Sequence, residues 1–196
     1  MQPHKIAIIG GIGSGKSVVS KLFRLMGIPV YDCDSEAKRL MHTSPTLRSE
    51  LTKAIDGRVY GADGRIDRAY LASYMFGNAG NVALVNSIVH PAVRADFKQW
   101  AANAQASIVA VETAILFESG MDADVDSIVL VSAPLETRIS RAILRDHSNE
   151  QDIRQRMKSQ MSDTELMKRA NYLILNDDTA SLIVQVKQVI QKIASK

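Results

Sequence analysis

One cysteine, Cys33, stands in 196 residues. The chain therefore forms no intrachain disulfide and offers neither a CxxC pair nor a multi-cysteine metal site. A reducing compartment fits this usage, and the cytoplasm is the expected location. Long hydrophobic runs are missing too. The first apolar run, Ile6 to Ile9, is broken by glycines after four residues, too short for a secretory h-region, and no 18-residue apolar stretch is present to span a membrane. Charge of one sign is not in excess: a formal net charge of +3 is too small to imply nucleic-acid binding by itself, although it suits an anionic ligand. Internal repeats and low-complexity segments are absent.

What remains is an ordinary globular composition, 46% apolar and 23% charged, in a chain long enough for one sizeable core. The expected organisation is a single domain over residues 1–196. Short apolar runs recur between helical patterns at Ile6 to Ile9, Pro29 to Tyr31, Ile108 to Val111, Ile128 to Val131 and Tyr172 to Leu175. Strands alternating with helices predict a doubly wound parallel five-stranded sheet of the α/β class, and continuous rather than alternating runs predict strands covered on both faces. Gly27 is expected to close a helix opening near Ser17, Pro134 to sit in a first helical turn, and Ser162 with Glu165 to form a capping box. A final amphipathic helix is expected from about Thr179 to Ile193. Residues 35–106 carry no strand run and read as a helical insertion over the carboxyl ends of the strands, where ligands bind in such sheets. Within it, His90-Pro91 is expected to begin a helix running to Ala106.

Directly after the first strand comes Gly-Gly-Ile-Gly-Ser-Gly-Lys-Ser, residues 10–17, which satisfies G-x-x-x-x-G-K-[ST]. Backbone N–H groups of such a loop cradle phosphates, aided by the positive end of the following helix. Lys16 reaches the outer phosphate oxygens and Ser17 ligates magnesium. The triphosphate contacts are expected from Gly11, Ile12, Gly13, Ser14, Gly15, Lys16, Ser17 and Val18.

Several enzyme classes share this loop, and further absences narrow them. There is no N/T-K-x-D or D-x-x-G pair of a GTPase, no L-S-G-G-Q signature of a transport ATPase and no D-E-x-D box of a helicase. A small-molecule kinase leads. Such an enzyme needs a carboxylate to take the acceptor's proton beside the γ-phosphate. Asp32 and Asp34, directly after the second strand, supply two, and strand-like alternation puts both on one side with Cys33 on the other. The alternative role for Asp34 or Ser35 is to cap a helix beginning at Ser35. Arg138, Arg141 and Arg145, spaced by three and four, share one helix face. With Arg154, Arg156 and Lys158 they form either an arginine-rich flap over the nucleotide, residues 138–165, or a charged face interleaved with Asp146, Glu150 and Asp152. Glu112, ending the third strand, is a candidate for the magnesium shell, and Glu118 follows in the next loop.

In this order and over nearly the whole chain, these elements resemble the dephospho-CoA kinase family. The likeness rests on the phosphate loop, Asp32-Cys33-Asp34 with Ala-Lys-Arg nearby, Asp63-Gly64 with Asp67-Arg68 and Leu71, His90-Pro91, Leu116-Phe117-Glu118, Arg138 to Arg145, and Tyr172 to Asn176. The resemblance implies transfer of the ATP γ-phosphate to the ribose 3'-hydroxyl of dephospho-CoA, giving coenzyme A and ADP, with Mg2+ as cofactor. It implies Asp34 as base, Lys16 and Arg141 as the cations at the transferred phosphate, and Arg145 at the nucleotide. Asp32, Asp34, His90 and Glu118 are implied on the substrate side, the insertion as the substrate-binding region and the arginine segment as a lid. Its partners are ATP and dephospho-CoA, with no nucleic acid and no membrane; oligomeric state leaves no signature. Departures from the family pattern are Val18 for threonine, Cys33 for alanine, Thr113-Ala114-Ile115 for a proline-containing stretch, and Asn171 for aspartate.

Overall fold

Ile6, Ala7 and Ile8 expose no surface and Ile9 almost none, because the strand that carries them is central in its sheet. The computed structural model describes residues 2–195. Five strands, β1 His4–Ile9, β2 Val30–Asp32, β3 Ile108–Glu112, β4 Ser127–Ser132 and β5 Tyr172–Leu175, lie in the order β2-β3-β1-β4-β5. β1 pairs in parallel with β3 on one side and β4 on the other, and β4 pairs in parallel with β5. All five predicted runs are strands, and the sheet is of the expected class. Strand order reverses around β1, so the loop leaving its carboxyl end opens at the sheet's switch point.

One face of the sheet is covered by α1 Lys16–Leu25 and α9 Leu182–Ala194. Ile6, Ile8, Val129, Val131 and Ile174 pack there against Val19 and Phe23 of α1 and Val186, Val189 and Ile193 of α9. Each such side chain contributes about 1.5–3 kcal/mol by leaving water. Gly27, at φ 83°, ends α1, with Ile28 N–H reaching back to Phe23 O at 3.1 Å, so the predicted stop is a left-handed helix cap. β5 borders the sheet. Its open edge is covered where Gln185 bonds both the N–H and the carbonyl of Leu175, each at 2.8 Å, which blunts a surface prone to pairing with other chains.

α6 Leu135–Asp146, α7 Glu150–Lys158 and α8 Asp163–Arg169 lie between β4 and β5 in the chain. Pro134 stands just before α6 as its cap residue. Ser162 Oγ accepts the Glu165 N–H at 3.2 Å, while the Glu165 carboxylate accepts from Lys168. Asn171, at the family's aspartate position, keeps an acceptor there: its Oδ1 takes the Ile128 N–H at 2.7 Å.

The chain divides into two compact units, one of Met1–Tyr31 with Ala101–Lys196 and one of Asp32–Trp100. The second contains α2 Cys33–Thr43, α3 Pro45–Ala54, α4 Arg68–Met75 and most of α5 Ala79–Asn103. Tyr60 and Ile66 form the one isolated bridge among the described residues.

Three expected helix boundaries are corrected. α2 begins at Cys33, not Ser35, because the Asp32 carboxylate accepts the N–H groups of Asp34 and Ser35 at 3.1 and 3.3 Å. α9 begins at Leu182 rather than Thr179, because Asp177 holds Thr179 in a turn and Asp178 adopts φ 64°, a left-handed conformation that interrupts a helix. α5 does not begin at Pro91: it runs from Ala79 to Asn103 with Pro91 inside. Its buried stripe Val85, Val89, Val93, Phe97 and Ala101 continues past Pro91, whose ring lies on an exposed side. Burial along the helix outweighs one lost backbone hydrogen bond.

Candidate active site

β1 delivers the chain into the glycine loop, and α1 leaves it at Lys16. Gly15 is the cap residue, in a left-handed conformation at φ 88° and with no side chain to satisfy the first turn. Its conformation and its surroundings both require glycine, since a Cβ would lie 2.0 Å from Asn176 Nδ2. Gly13, at φ 77°, is equally constrained by the Arg138 carbonyl, 2.1 Å from where its Cβ would be. Within the loop the Ser14 N–H is spent on Gly11 O, and the Val18 and Val19 N–H groups return to Gly15 O. The helix supplies no internal acceptor for the N–H groups of Gly15, Lys16 and Ser17. Together they make a positively polarised cradle that accepts an anion.

Strand register brings a carboxylate to this cradle. Glu112 is paired with Ile8 across the β1–β3 ladder, two residues before Gly10, and its side chain is only 8% exposed. One oxygen, Oε1, accepts the Ser17 hydroxyl at 2.7 Å and stands 4.0 Å from Lys16 Nζ. Lys16, Ser17 and Glu112 therefore meet at one point, and the ammonium balances a charge that burial alone would disfavour. Ser17 Oγ and Glu112 are hard oxygen donors side by side. No group of three or more His, Cys, Asp or Glu side chains capable of holding a metal occurs among the described residues.

The loop's other flank is Asn176, which continues from β5 and is buried. Its Nδ2 donates to Ser14 O at 2.9 Å, and its own carbonyl accepts from Arg141 Nη1 at 3.1 Å. Arg141 also donates from Nη2 to both carboxylate oxygens of Asp178, at 3.0 Å each. Arg141 is thus linked to the phosphate loop through Asn176. The other arginines of α6 go elsewhere. Arg138 is buried, donates to Ile12 O at 2.9 Å and pairs with Asp163. Arg145 is exposed and bonds Asp146, which Arg156 also reaches. These bonds, Arg145's first, hold the Asp146 carboxyl well below the usual carboxylate range. Arg154 pairs with Glu150 and Glu136. Exposed pairs of this kind contribute little to stability, so they open easily toward a stronger anion. Glu118 lies exposed in the turn after β3, where its neighbour Phe117 carries the Arg169 guanidinium 4.8 Å above its ring.

In the helical unit, the predicted carboxylate pair divides into two roles. Asp32 caps α2, taking two N–H groups and the Ser35 hydroxyl at 2.9 Å. Strand-like alternation of Asp32 and Asp34 does not occur, because the helix already includes Cys33 and Asp34. Asp34 stands exposed in the first turn of α2, and its carboxylate is not spent on capping. Cys33 is buried. His90 is half-buried in the middle of α5. No sequence motif marks Gln160, whose Oε1 accepts the Ile12 N–H at 3.0 Å, or Asp178, and Asn176 has no role of its own in the motif that contains it. Only Asn176 had a signal, as a polar residue at a strand's carboxyl end.

The dephospho-CoA kinase family model matches residues 4–181. The dephospho-CoA kinase of Bacteroides fragilis strain YCH46 is 44% identical over 187 residues, covering 95% of this chain and 91% of its own. That of Porphyromonas gingivalis is 42% identical, covering 97% and 95%. Among solved structures, TT1252 from Thermus thermophilus superposes with a TM-score of 0.79 at 32% identity, covering 100% of this chain and 98% of that one. A glycine cradle with Lys16, Ser17 and Glu112 converging on it, on a sheet of order β2-β3-β1-β4-β5, agrees with what these likenesses establish: the chain belongs to the dephospho-CoA kinase family.

Proposed function

We propose that this protein, as a dephospho-CoA kinase, transfers the γ-phosphate of ATP to the ribose 3'-hydroxyl of dephospho-CoA, with Asp34 as the base. The observation that carries the reading is the convergence of Lys16 Nζ and Ser17 Oγ on Glu112 Oε1 beside the glycine cradle. In the transfer, a bond forms between the 3'-oxygen and the γ-phosphorus, the bond from that phosphorus to the β–γ bridging oxygen breaks, and the hydroxyl proton passes to Asp34. ADP leaves with the bridging oxygen.

The loop N–H groups and Lys16 hold the β- and γ-phosphates, and Arg141 exchanges Asp178 for a phosphate oxygen. Placing these cations where charge accumulates is most of the catalysis in such a loose transition state. Ser17 and Glu112 are the residues that would hold magnesium, a hard cation suited to their oxygen donors. When bound, it neutralises the triphosphate. Residues 35–106 are assigned as the dephospho-CoA-binding insertion, with Asp32, Asp34 and His90 on the substrate side, and 138–165 as a lid with Arg145 at the nucleotide. Glu118 is assigned to the substrate side. No helix among the described residues is long and apolar enough to cross a membrane; with a single cysteine, this supports the cytoplasm as the site of action.

The position of the new phosphate tests the reading. Carbon–phosphorus couplings in the NMR spectrum of the purified product are expected at the 3'-carbon and its neighbours; a 2'-phosphate, or a product phosphorylated at the pantetheine end, contradicts it.

A further inference from the structure

Besides the Asn176 bond to Ser14, the phosphate loop is held from outside at Ile12. Its side chain packs against Ile139, Ala142 and Ile153, the small core of α6 and α7. Its carbonyl accepts from Arg138 Nε at 2.9 Å. Its N–H donates to Gln160 Oε1 at 3.0 Å, from the short connection between α7 and α8. Arg138, with 5% of its surface exposed, is itself fixed by Asp163 at the start of α8. All of these partners belong to residues 138–163.

Peptide planarity turns these contacts into a statement about the phosphate site. In a trans peptide the carbonyl and the next N–H point in opposite directions. The Ile12 carbonyl faces outward to Arg138, so the Gly13 N–H faces inward, into the hollow of the loop. By the same rule the Ile12 N–H, directed outward to Gln160, leaves the Gly11 carbonyl on the opposite side, where it accepts the Ser14 N–H at 3.1 Å and closes the loop's turn. Were the peptide between Gly11 and Ile12 to flip, the loop would lose that turn, and were the peptide between Ile12 and Gly13 to flip, it would present a carbonyl in place of the Gly13 N–H.

We propose that Gln160, with Arg138, is a positioning residue for phosphoryl transfer: the two lock the peptide units on either side of Ile12 so that the Gly13 N–H is aimed at the triphosphate. The loop's readiness to take nucleotide then depends on the arrangement of the 138–163 segment, and Gln160 is the connection most easily removed, since it is half-buried and carries no charge. This inference rests on the kinase reading of the site but extends it to a residue outside the loop and the catalytic groups.

The test uses the full-length protein and the variants Gln160→Met, which keeps length and bulk, and Gln160→Ala. Three quantities are measured: binding of magnesium and the non-hydrolysable β,γ-imido analogue of ATP by calorimetry, the Michaelis constants for ATP and dephospho-CoA, and the backbone amide resonances of Ile12 and Gly13. Loss of one hydrogen bond that orders the loop is expected to weaken analogue binding and raise the ATP constant about threefold to tenfold. The dephospho-CoA constant should stay unchanged, and the Ile12 and Gly13 amides should shift in both variants. Unmoved amides, unchanged analogue affinity, or a parallel loss for both substrates would each overturn the proposal. Analogue binding needs no acceptor, so weakened binding in a protein that does not phosphorylate dephospho-CoA would leave the positioning role standing and refute the kinase reading instead.

Discussion

Glu112 receives the Ser17 hydroxyl and faces the Lys16 ammonium with the same carboxylate oxygen, so the charge balance of the cradle is set before any nucleotide arrives. Replacing it with glutamine removes the counter-charge of Lys16 and one oxygen of the proposed magnesium pair. Glu112→Gln is expected to shift the magnesium dependence of turnover to higher concentration and to lower kcat about tenfold or more, read from a magnesium titration of initial rates. An unchanged titration would remove Glu112 from the site. For Asp34, whose neighbour Asp32 is occupied with capping, the expected result of Asp34→Asn is a kcat loss of about 100-fold to 10,000-fold with nucleotide affinity retained. A variant of near-normal kcat would show that the proton goes elsewhere. At this scale the sequence carried the loop in full, because its chemistry is local: each glycine, Lys16 and Ser17 acts within a few residues of its place in the chain. The Asp32 cap was misjudged because two carboxylates spaced by two read alike in a strand, and only the helix beginning at Cys33 distinguishes them. Gln160 and Asp178 had no legible signal, since their partners lie 148 and 37 residues away.

Whole elements were more legible than their ends. Five apolar runs sufficed for five strands because a strand buried on both faces has no polar positions to blur it. Helix starts depended on which side chain turned back to cap, and α5 depended on a buried stripe stronger than the proline signal. Pro91 leaves the Ser87 carbonyl without its usual helical donor, so Pro91→Ala is expected to stabilise α5 by about 1 to 3 kcal/mol, raising Tm by about 2 °C or more. A lower Tm would mean that the proline ring packs usefully. The corner between α6 and α7 gives a pH prediction. Asp146 titrates below its unfolded value because Arg145 and Arg156 bond its ionised form. A depressed acid contributes its stabilisation above the unfolded pKa, about 3.9, and loses it as pH falls further toward the folded value. Hydrogen exchange at 146–150, corrected for intrinsic rates, should therefore be flat from pH 8 to 5 and rise only below about pH 4. Loosening near pH 6 would contradict the assignment.

For the molecule as a whole, the sequence established a parallel sheet, a strandless stretch after β2 and a phosphate loop at the sheet's switch point, since each follows from periodicity or a contiguous motif. The two carboxylates after β2 were legible as candidate bases from their place in the chain, whereas the choice of Asp34 between them came from family likeness, because Asp34 and the phosphate loop fall in different compact units and no local motif joins them. The proposed reaction phosphorylates dephospho-CoA with ATP and leaves other alcohols untouched. Its most direct test is chromatographic resolution of CoA formed from ATP, magnesium and dephospho-CoA, with adenosine and gluconate as competing acceptors and Lys16→Ala as control. Product is expected from dephospho-CoA alone, dependent on both ATP and magnesium and lost in the control. Phosphorylation of adenosine or gluconate at a comparable rate, or CoA formation that survives Lys16→Ala, would contradict it.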